Sequence, residues 1–100
     1  MDKRIDLIIE RLKEVYDPEI PVNIYDLGLI YNVDVDENDN ANVVMTLTAP
    51  GCPVADMLVE EVNQAALAEG IKTAHVELTF EPAWDKSMMS EEARLELGFF

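Results

Sequence analysis

The hydrophobic residues of this chain recur at helical spacing in two stretches, Asp2–Tyr16 and Pro53–Glu69. Apolar positions three and four residues apart line one face of a helix, so both stretches are predicted to be amphipathic helices. Asp17-Pro18 is placed to end the first helix, whereas the second begins at a proline and is followed by Gly70. The two apolar faces consist of Ile5, Ile8, Ile9, Leu12 and Val15, and of Ala55, Leu58, Val59, Val62 and Ala66.

Three other stretches alternate hydrophobic and polar residues with the period of two that is typical of strands. Leu29–Val35 and Val43–Thr48 are separated by a polar run, Asp36–Asn42, and are predicted to form a β-hairpin. Ala74–Phe80 is predicted to be a third strand with one buried face. Asp17–Gly28 contains two prolines and no sustained period, and it is predicted to be a long connection.

The predicted order of elements is α-β-β-α-β, followed by a tail of residues 83–100 with a short helix near Ser90 to Leu97. Two helices on one face of a three-stranded sheet form a two-layer α/β sandwich, so we expect an α+β fold. A crossover helix returns the third strand parallel to the second, which makes the sheet mixed. A chain of 100 residues is the size of a single domain, and we expect its core in residues 1–82.

This topology brings three loops to one end of the sheet. The Asp17–Gly28 connection and the loop around Cys52 lie away from the hairpin turn, and a parallel third strand ends on the same side, at Glu81 to Trp84. His75 lies at the start of that strand and is therefore predicted at the opposite end. The candidate site is the end of the sheet that contains Cys52, the only cysteine.

Cys52 directly precedes Pro53, the predicted first residue of the second helix. The helix dipole and the unpaired amides at a helix N-terminus favour an anion and lower the pKa of a thiol. A thiolate is both a nucleophile and a soft-metal ligand, and the hydroxyls of Thr46 and Thr48 are predicted to lie nearby. The alternative is a buried cysteine that serves as a small, inert hydrophobic residue.

Carboxylates surround the predicted position of this thiol. Asp17, Glu19 and Asp26 lie in the connection that faces Cys52, and Glu81 follows the third strand. Carboxylates raise the pKa of a nearby thiol unless a cation is interposed. Either a metal or a positively charged partner completes the site, or these carboxylates serve in turns.

The composition narrows the choice of partners. Seven Lys and Arg against 21 Asp and Glu give a net charge of −14, which repels nucleic acids and anionic membrane surfaces. One cysteine excludes an internal disulfide, and the N-terminus shows no apolar signal segment, so we expect a cytoplasmic protein. No apolar run approaches the roughly 18 residues that span a bilayer.

Two other function classes lack the residues that they require. A cysteine-nucleophile enzyme needs a base beside Cys52, but the only histidine, His75, is predicted at the other end of the sheet. A KH-like RNA-binding domain needs a Gly-x-x-Gly loop and a basic surface, and this chain has neither. We therefore expect a protein that is not an enzyme and that does not bind nucleic acid.

Several segments of the chain match the motifs of a known family: Asp17-Pro-Glu, Asp26-Leu-Gly, the Thr-x-x-x-Cys-Pro element within Met45–Pro53, and Glu81-Pro-Ala-Trp followed by residues 89–98. Together they resemble the SufT and PaaD-like metal–sulfur cluster biosynthesis family, over essentially the whole chain. The resemblance implies a two-layer domain similar to the C-terminal domain of NifU. It also implies that the characteristic residues of the family are Cys52, Asp17, Glu19, Asp26 and Thr48.

The resemblance implies a role in the maturation of iron–sulfur proteins, of the stand-alone SufT type, because the chain has neither an ATPase domain nor the additional C-terminal cysteines of PaaD proper. A cluster usually takes four protein ligands, and one cysteine cannot supply them. We therefore expect no stably bound cofactor. Cys52 is predicted to engage iron or a cluster transiently, in a homodimer or with a carrier or client apoprotein. The alternative is an adaptor that recruits client apoproteins without using Cys52.

Overall fold

The structure is a computed structural model that describes residues 3–17, 20–48 and 55–98. Four helices, three strands and one turn of 3-10 helix make up these residues. In chain order they are α1 (Lys3–Leu12), α2 (Ile24–Leu27), β1 (Ile30–Val35), β2 (Asn40–Met45), α3 (Ala55–Ala66), β3 (Thr73–Leu78), the 3-10 turn (Lys86–Met88) and α4 (Glu91–Glu96). No helix in this part of the chain has the length and hydropathy that crossing a membrane requires.

The three strands form one mixed sheet in the order β1-β2-β3. β1 runs antiparallel to β2, and β3 runs parallel to β2. Alternate residues of β2, namely Ala41, Val43 and Met45, are buried, whereas Asn42 between them is exposed. The buried residues join a core with α1 and α3, which contact each other and the sheet. The predicted α+β fold with a three-stranded mixed sheet is confirmed.

The hairpin turn is shorter than predicted, and the prediction for β2 is wrong by three residues. The Asp36 carboxylate accepts hydrogen bonds from the amides of Asn38 at 2.8 Å and Asn40 at 3.0 Å, and Asp39 takes a positive φ of 65°. This tight turn ends at Asp39, so β2 begins at Asn40 rather than Val43 and ends at Met45 rather than Thr48. Asn40 and Asn42 read as loop residues in the sequence because they lie on the outward, polar side of the strand.

The helices are also shorter than predicted, since α1 ends at Leu12 rather than Tyr16. Tyr16 instead forms an isolated antiparallel bridge with Asn23, and the Ile24 amide donates to the Val15 carbonyl at 2.8 Å. These bonds hold the backbone at Val15 and Tyr16 in an extended conformation, and they join the two ends of the loop that follows α1. α3 ends at Ala66 rather than Glu69, and the predicted start of that helix at Pro53 lies outside the described residues.

The long connection contains a helix that the sequence analysis missed. Asn23 caps α2, because its side-chain oxygen accepts a hydrogen bond from the Asp26 amide at 2.9 Å. Gly28 ends the helix in the left-handed conformation, with φ of 88°. An Asn three residues before an acidic residue, with Gly two residues later, is the local signal that marks this single turn.

The tail folds back onto the same chain. Ser90 caps α4, the short helix predicted in the tail, by accepting a hydrogen bond from the Ala93 amide at 3.1 Å. Met89 and Ala93 are buried and belong to the hydrophobic core. The Trp84 indole donates to the Leu27 carbonyl at 2.8 Å, which attaches the tail to α2.

Candidate functional site

The start of β1 and the ends of β2 and β3 meet at one end of the sheet. The Thr46 amide donates to the Leu29 carbonyl at 2.8 Å, and the Thr79 amide donates to the Met45 carbonyl at 2.8 Å. α2 precedes Leu29, and the segment that follows Thr79 leads through Glu81 into the tail. The described parts of the predicted loops therefore leave the sheet from this end.

Two of the predicted site residues, Cys52 and Glu19, lie outside the described residues, and their roles stay predictions. The described chain stops at Thr48, three residues beyond β2, and resumes at Ala55 with the first turn of α3. Among the described residues, no three His, Cys, Asp or Glu side chains form a group that holds a metal ion.

Thr46 is the most unusual polar residue at this end of the sheet. Its side chain is fully buried, with 0% exposed area, and its hydroxyl has no hydrogen-bond partner within the described part of the chain. A buried hydroxyl without a partner costs about 1–3 kcal/mol. Such a group is poised to donate a hydrogen bond to an acceptor that reaches it. Thr48, two residues on, is half-buried.

Asp26 forms hydrogen bonds within α2 and to the start of α4. Its carboxylate accepts a hydrogen bond from the Asn23 side-chain amide at 2.8 Å, and its backbone carbonyl accepts one from the Ser90 amide at 2.8 Å. The residue therefore stabilises α2 and holds the start of α4. The role of Asp26 as a site residue stays a prediction.

Asp17 and Glu81 lie at the bases of two loops. Asp17 is half-buried, next to the bridge between Tyr16 and Asn23, and its carbonyl accepts a long bond from the Ile20 amide at 3.4 Å. Glu81 is exposed, and its amide donates to the Thr79 hydroxyl at 3.2 Å. Its carboxylate is therefore open to solvent and available to a cation or a basic partner.

His75 is exposed on β3, where it pairs with Asn42 of β2. Thr46 lies four residues beyond Asn42, just past the end of β2, which is a distance of about 13 Å at 3.3 Å per residue. The only histidine of the chain is therefore separated from the end of the sheet at which Thr46 lies.

The Asp26-Leu-Gly motif has a packing role that the sequence analysis did not predict. The Leu27 carbonyl receives the Trp84 indole, and a Cβ added at Gly28 would lie 2.4 Å from the Met88 carbonyl oxygen. Only glycine allows the tail backbone to approach this closely. The motif thus pairs with the Glu81-Pro-Ala-Trp motif, 57 residues away in the chain.

Comparison with known proteins places this fold in a family. The family model described as "Iron-sulfur cluster assembly protein" matches residues 5–79. A protein of Porphyromonas gingivalis named Fe-S protein maturation auxiliary factor is 59% identical over 93 residues, which cover 92% of this chain and 89% of that protein. The Fe-S protein maturation auxiliary factor SufT of Staphylococcus aureus is 41% identical, over 84% of this chain and 97% of that protein.

Solved structures agree with the sequence comparison. The crystal structure of a domain of unknown function, DUF59, from Bacillus anthracis superposes with a TM-score of 0.90 at 35% identity, covering 98% of this chain and 94% of that one. A conserved hypothetical protein of Thermotoga maritima superposes with a TM-score of 0.79 at 37% identity, covering 98% and 99%. The family predicted from the motifs is confirmed: the chain belongs to the iron–sulfur cluster assembly protein family.

Proposed function

We propose that this protein is an accessory factor, not an enzyme, in the maturation of iron–sulfur proteins. The observation that carries the proposal is the 59% identity to an Fe-S protein maturation auxiliary factor over nearly the full length of both chains. The proposed cargo is iron or an iron–sulfur cluster, and the proposed partners are carrier proteins and client apoproteins in the cytoplasm.

We further propose that Cys52 is the group that engages the cargo. One thiolate per chain cannot satisfy a cluster that takes about four protein ligands, so the remaining ligands come from a second copy, a carrier or a client. Engagement is therefore transient, and cargo passes on when a client with more cysteines replaces Cys52.

The buried hydroxyl of Thr46 supports a role for this end of the sheet. Sulfur in a thiolate or in a cluster accepts hydrogen bonds, and donors around a cluster tune its reactivity. We propose that Thr46 donates to sulfur when the cargo is held. The exposed carboxylate of Glu81 faces solvent at the same end, where it attracts a basic partner.

A complementation experiment tests the proposal. Cells that lack this protein are expected to lose activity of a cytoplasmic iron–sulfur enzyme such as aconitase, and the wild-type chain is expected to restore it. Cys52→Ala at matched abundance is expected to fail. Equal rescue by both chains would contradict the thiolate mechanism and indicate an adaptor that needs no cysteine. If the deletion leaves the activity of the iron–sulfur enzyme unchanged, the maturation role itself is contradicted.

Thr46→Val gives a sharper test, because valine keeps the shape of threonine and removes only the hydroxyl. The free energy of unfolding is expected to stay equal or to rise by about 1 kcal/mol, since the buried hydroxyl that is removed has no partner in the described segments. Enzyme rescue in cells is expected to fall, and Thr46→Ser is the control that restores the donor. A Thr46→Val chain that is clearly destabilised in urea unfolding would show that the hydroxyl already has a partner in the free protein.

A further inference from the structure

An open groove of about 620 Å³ lies between α2, β1 and the tail. Its walls are mainly apolar and include Tyr25, Ile30, Tyr31 and Met88, while Asp26 adds a carboxylate. We call this surface the α2–tail groove. Sites that bind ligands are commonly concave and mostly apolar, with a few polar groups that fix orientation.

The walls of the α2–tail groove are held together by hydrogen bonds between distant parts of the chain. The Tyr31 hydroxyl donates to the Pro82 carbonyl at 2.7 Å, and the Trp84 indole donates to the Leu27 carbonyl at 2.8 Å. The groove is therefore formed before anything binds. A preformed surface spares the free energy of ordering its side chains when a partner arrives.

A second recess, of about 240 Å³, adjoins the groove on the α1 side of β1. It shares Tyr25, Ile30 and Tyr31 with the groove and adds Ile5 and Ile9 of α1. The two recesses thus adjoin each other beside β1, and the second also includes the polar residue Asn32.

β1 is an edge strand, since among the described strands it pairs only with β2. Its register shifts between Ile30 and Asn32, which inserts Tyr31 as an extra residue between the two recesses. Edge strands present unpaired backbone groups to which an extended peptide can add. Alternate side chains of such a peptide are about 6.8 Å apart, so neighbouring recesses can receive them in turn.

Charge identifies the kind of peptide that fits. Asp26 lines the groove, Asp34 lies on β1, and Asp36 and Glu37 follow in the hairpin turn. Lys13 lies 5.4 Å from the centre of the Tyr25 ring, but the chain as a whole carries a net charge of −14. A field of this sign attracts cationic segments and repels acidic ones.

We propose that the α2–tail groove and the edge of β1 bind an extended segment of a partner protein that carries apolar side chains at alternate positions and lysine or arginine between them. The apolar side chains fill the two recesses, and the cationic groups between them point to the opposite face of the sheet, on which Asp34 lies next to Val33 of the second recess. The proposal concerns a binding surface and involves no iron, cluster or thiol, so it stands or fails independently of the function proposed above.

The test is a titration of the full chain, labelled in its methionine and isoleucine methyl groups, with the peptide acetyl-Lys-Phe-Lys-Leu-Lys-amide, followed by NMR. Saturable shifts are expected at Met88 and Ile30. Met88→Lys is expected to weaken binding roughly tenfold or more, because it places a cation where an apolar side chain must be buried. The matched control is Leu95→Lys, which makes the same charge change at a residue of α4 that is 55% exposed, and its affinity is expected to be unchanged.

Two further peptides keep the test decisive if Met88→Lys does not fold. Lys-Ser-Lys-Ser-Lys lacks the apolar side chains, and Glu-Phe-Glu-Leu-Glu reverses the charge; both are expected to bind at least roughly tenfold more weakly. Equal binding of either peptide, or the absence of saturable shifts with the first, overturns the proposal. Methyl shifts that follow protein concentration without any peptide, together with a doubled mass in light scattering, would assign the groove to a second copy of this chain and overturn it as well.

Discussion

Three glycines of this protein share a left-handed backbone but differ in what lies beside them, which makes Gly28 a strong test of how the tail packs. Gly28, Gly70 and Gly98 have φ values of 88°, 88° and 79°. A Cβ at Gly98 would meet nothing within 4 Å, and one at Gly70 would lie 3.1 Å from the Arg4 side chain, which donates hydrogen bonds to Asp39 and to the Gly70 carbonyl. A Cβ at Gly28 would lie 2.4 Å from the backbone oxygen of Met88.

These contacts set the expected cost of each alanine substitution. An alanine in the left-handed region costs about 1–2 kcal/mol, and this is the whole effect expected for Gly98→Ala. Gly70→Ala is expected to cost somewhat more, because the hydrogen-bonded Arg4 side chain must also shift. At Gly28 the tail must also retreat by roughly 1 Å to reach an ordinary contact, and the neighbouring bonds from Trp84 to Leu27 and from Ser90 to Asp26 weaken at about 1 kcal/mol each. Gly28→Ala is therefore expected to cost about 3 kcal/mol or more.

Urea unfolding followed by circular dichroism measures the free energy of unfolding of the four chains. A domain of this size is stable by about 5–15 kcal/mol, so the variants are expected to remain folded in buffer. Trp84, the only tryptophan, reports on the tail separately, and its fluorescence is expected to shift in native buffer for Gly28→Ala alone. If Gly28→Ala costs no more than Gly98→Ala and leaves the fluorescence unchanged, the close approach of Met88 to Gly28 is refuted.

Two further predictions concern the attachment of the tail and the hairpin turn. Trp84→Phe keeps an aromatic ring but removes the donor to the Leu27 carbonyl, so urea unfolding is expected to show a loss of about 1–2 kcal/mol; an unchanged midpoint would mean that the bond does not attach the tail. Hydrogen bonding, chiefly by the Asn40 backbone, lowers the pKa of Asp36 in the folded chain. The Asp36 carboxylate therefore contributes to the free energy of unfolding above its unfolded pKa of about 3.9, and this contribution is lost as the pH falls through the lower folded pKa. The stability difference between wild type and Asp36→Asn is therefore expected to be constant above about pH 5 and to shrink below about pH 4, and a constant difference down to pH 3 would contradict this assignment.

The sequence predicted the type of each large element because hydrophobic periodicity is a local signal. The spacing of Ile8 and Leu12 in α1, and of Leu58 and Val62 in α3, matches the residues that the structure buries. Boundaries were less accurate, because bonds such as that between Tyr16 and Asn23 end a helix without leaving a break in its hydrophobic pattern.

The candidate site was only partly predictable, because hydrophobic periodicity reports local structure and not contacts between distant residues. Connectivity alone predicted that β3 runs parallel to β2, and with it that the ends of these strands meet. The burial of the Thr46 hydroxyl, which has no partner among the described residues, could not be predicted, because it depends on how the elements pack around the end of β2. The roles of Cys52 and Glu19 stay predictions from the sequence.

The sequence by itself determined the order of the elements, the mixed sheet and the family, because each depends on periodicity, chain order or motifs. Only the tertiary structure decided what Asp26, Gly28 and Trp84 do. Their partners are Ser90, Met88 and Leu27, which lie 57 to 64 residues away in the chain. Contacts of that range depend on how elements pack against one another, and packing is a property of the folded chain that no local pattern encodes.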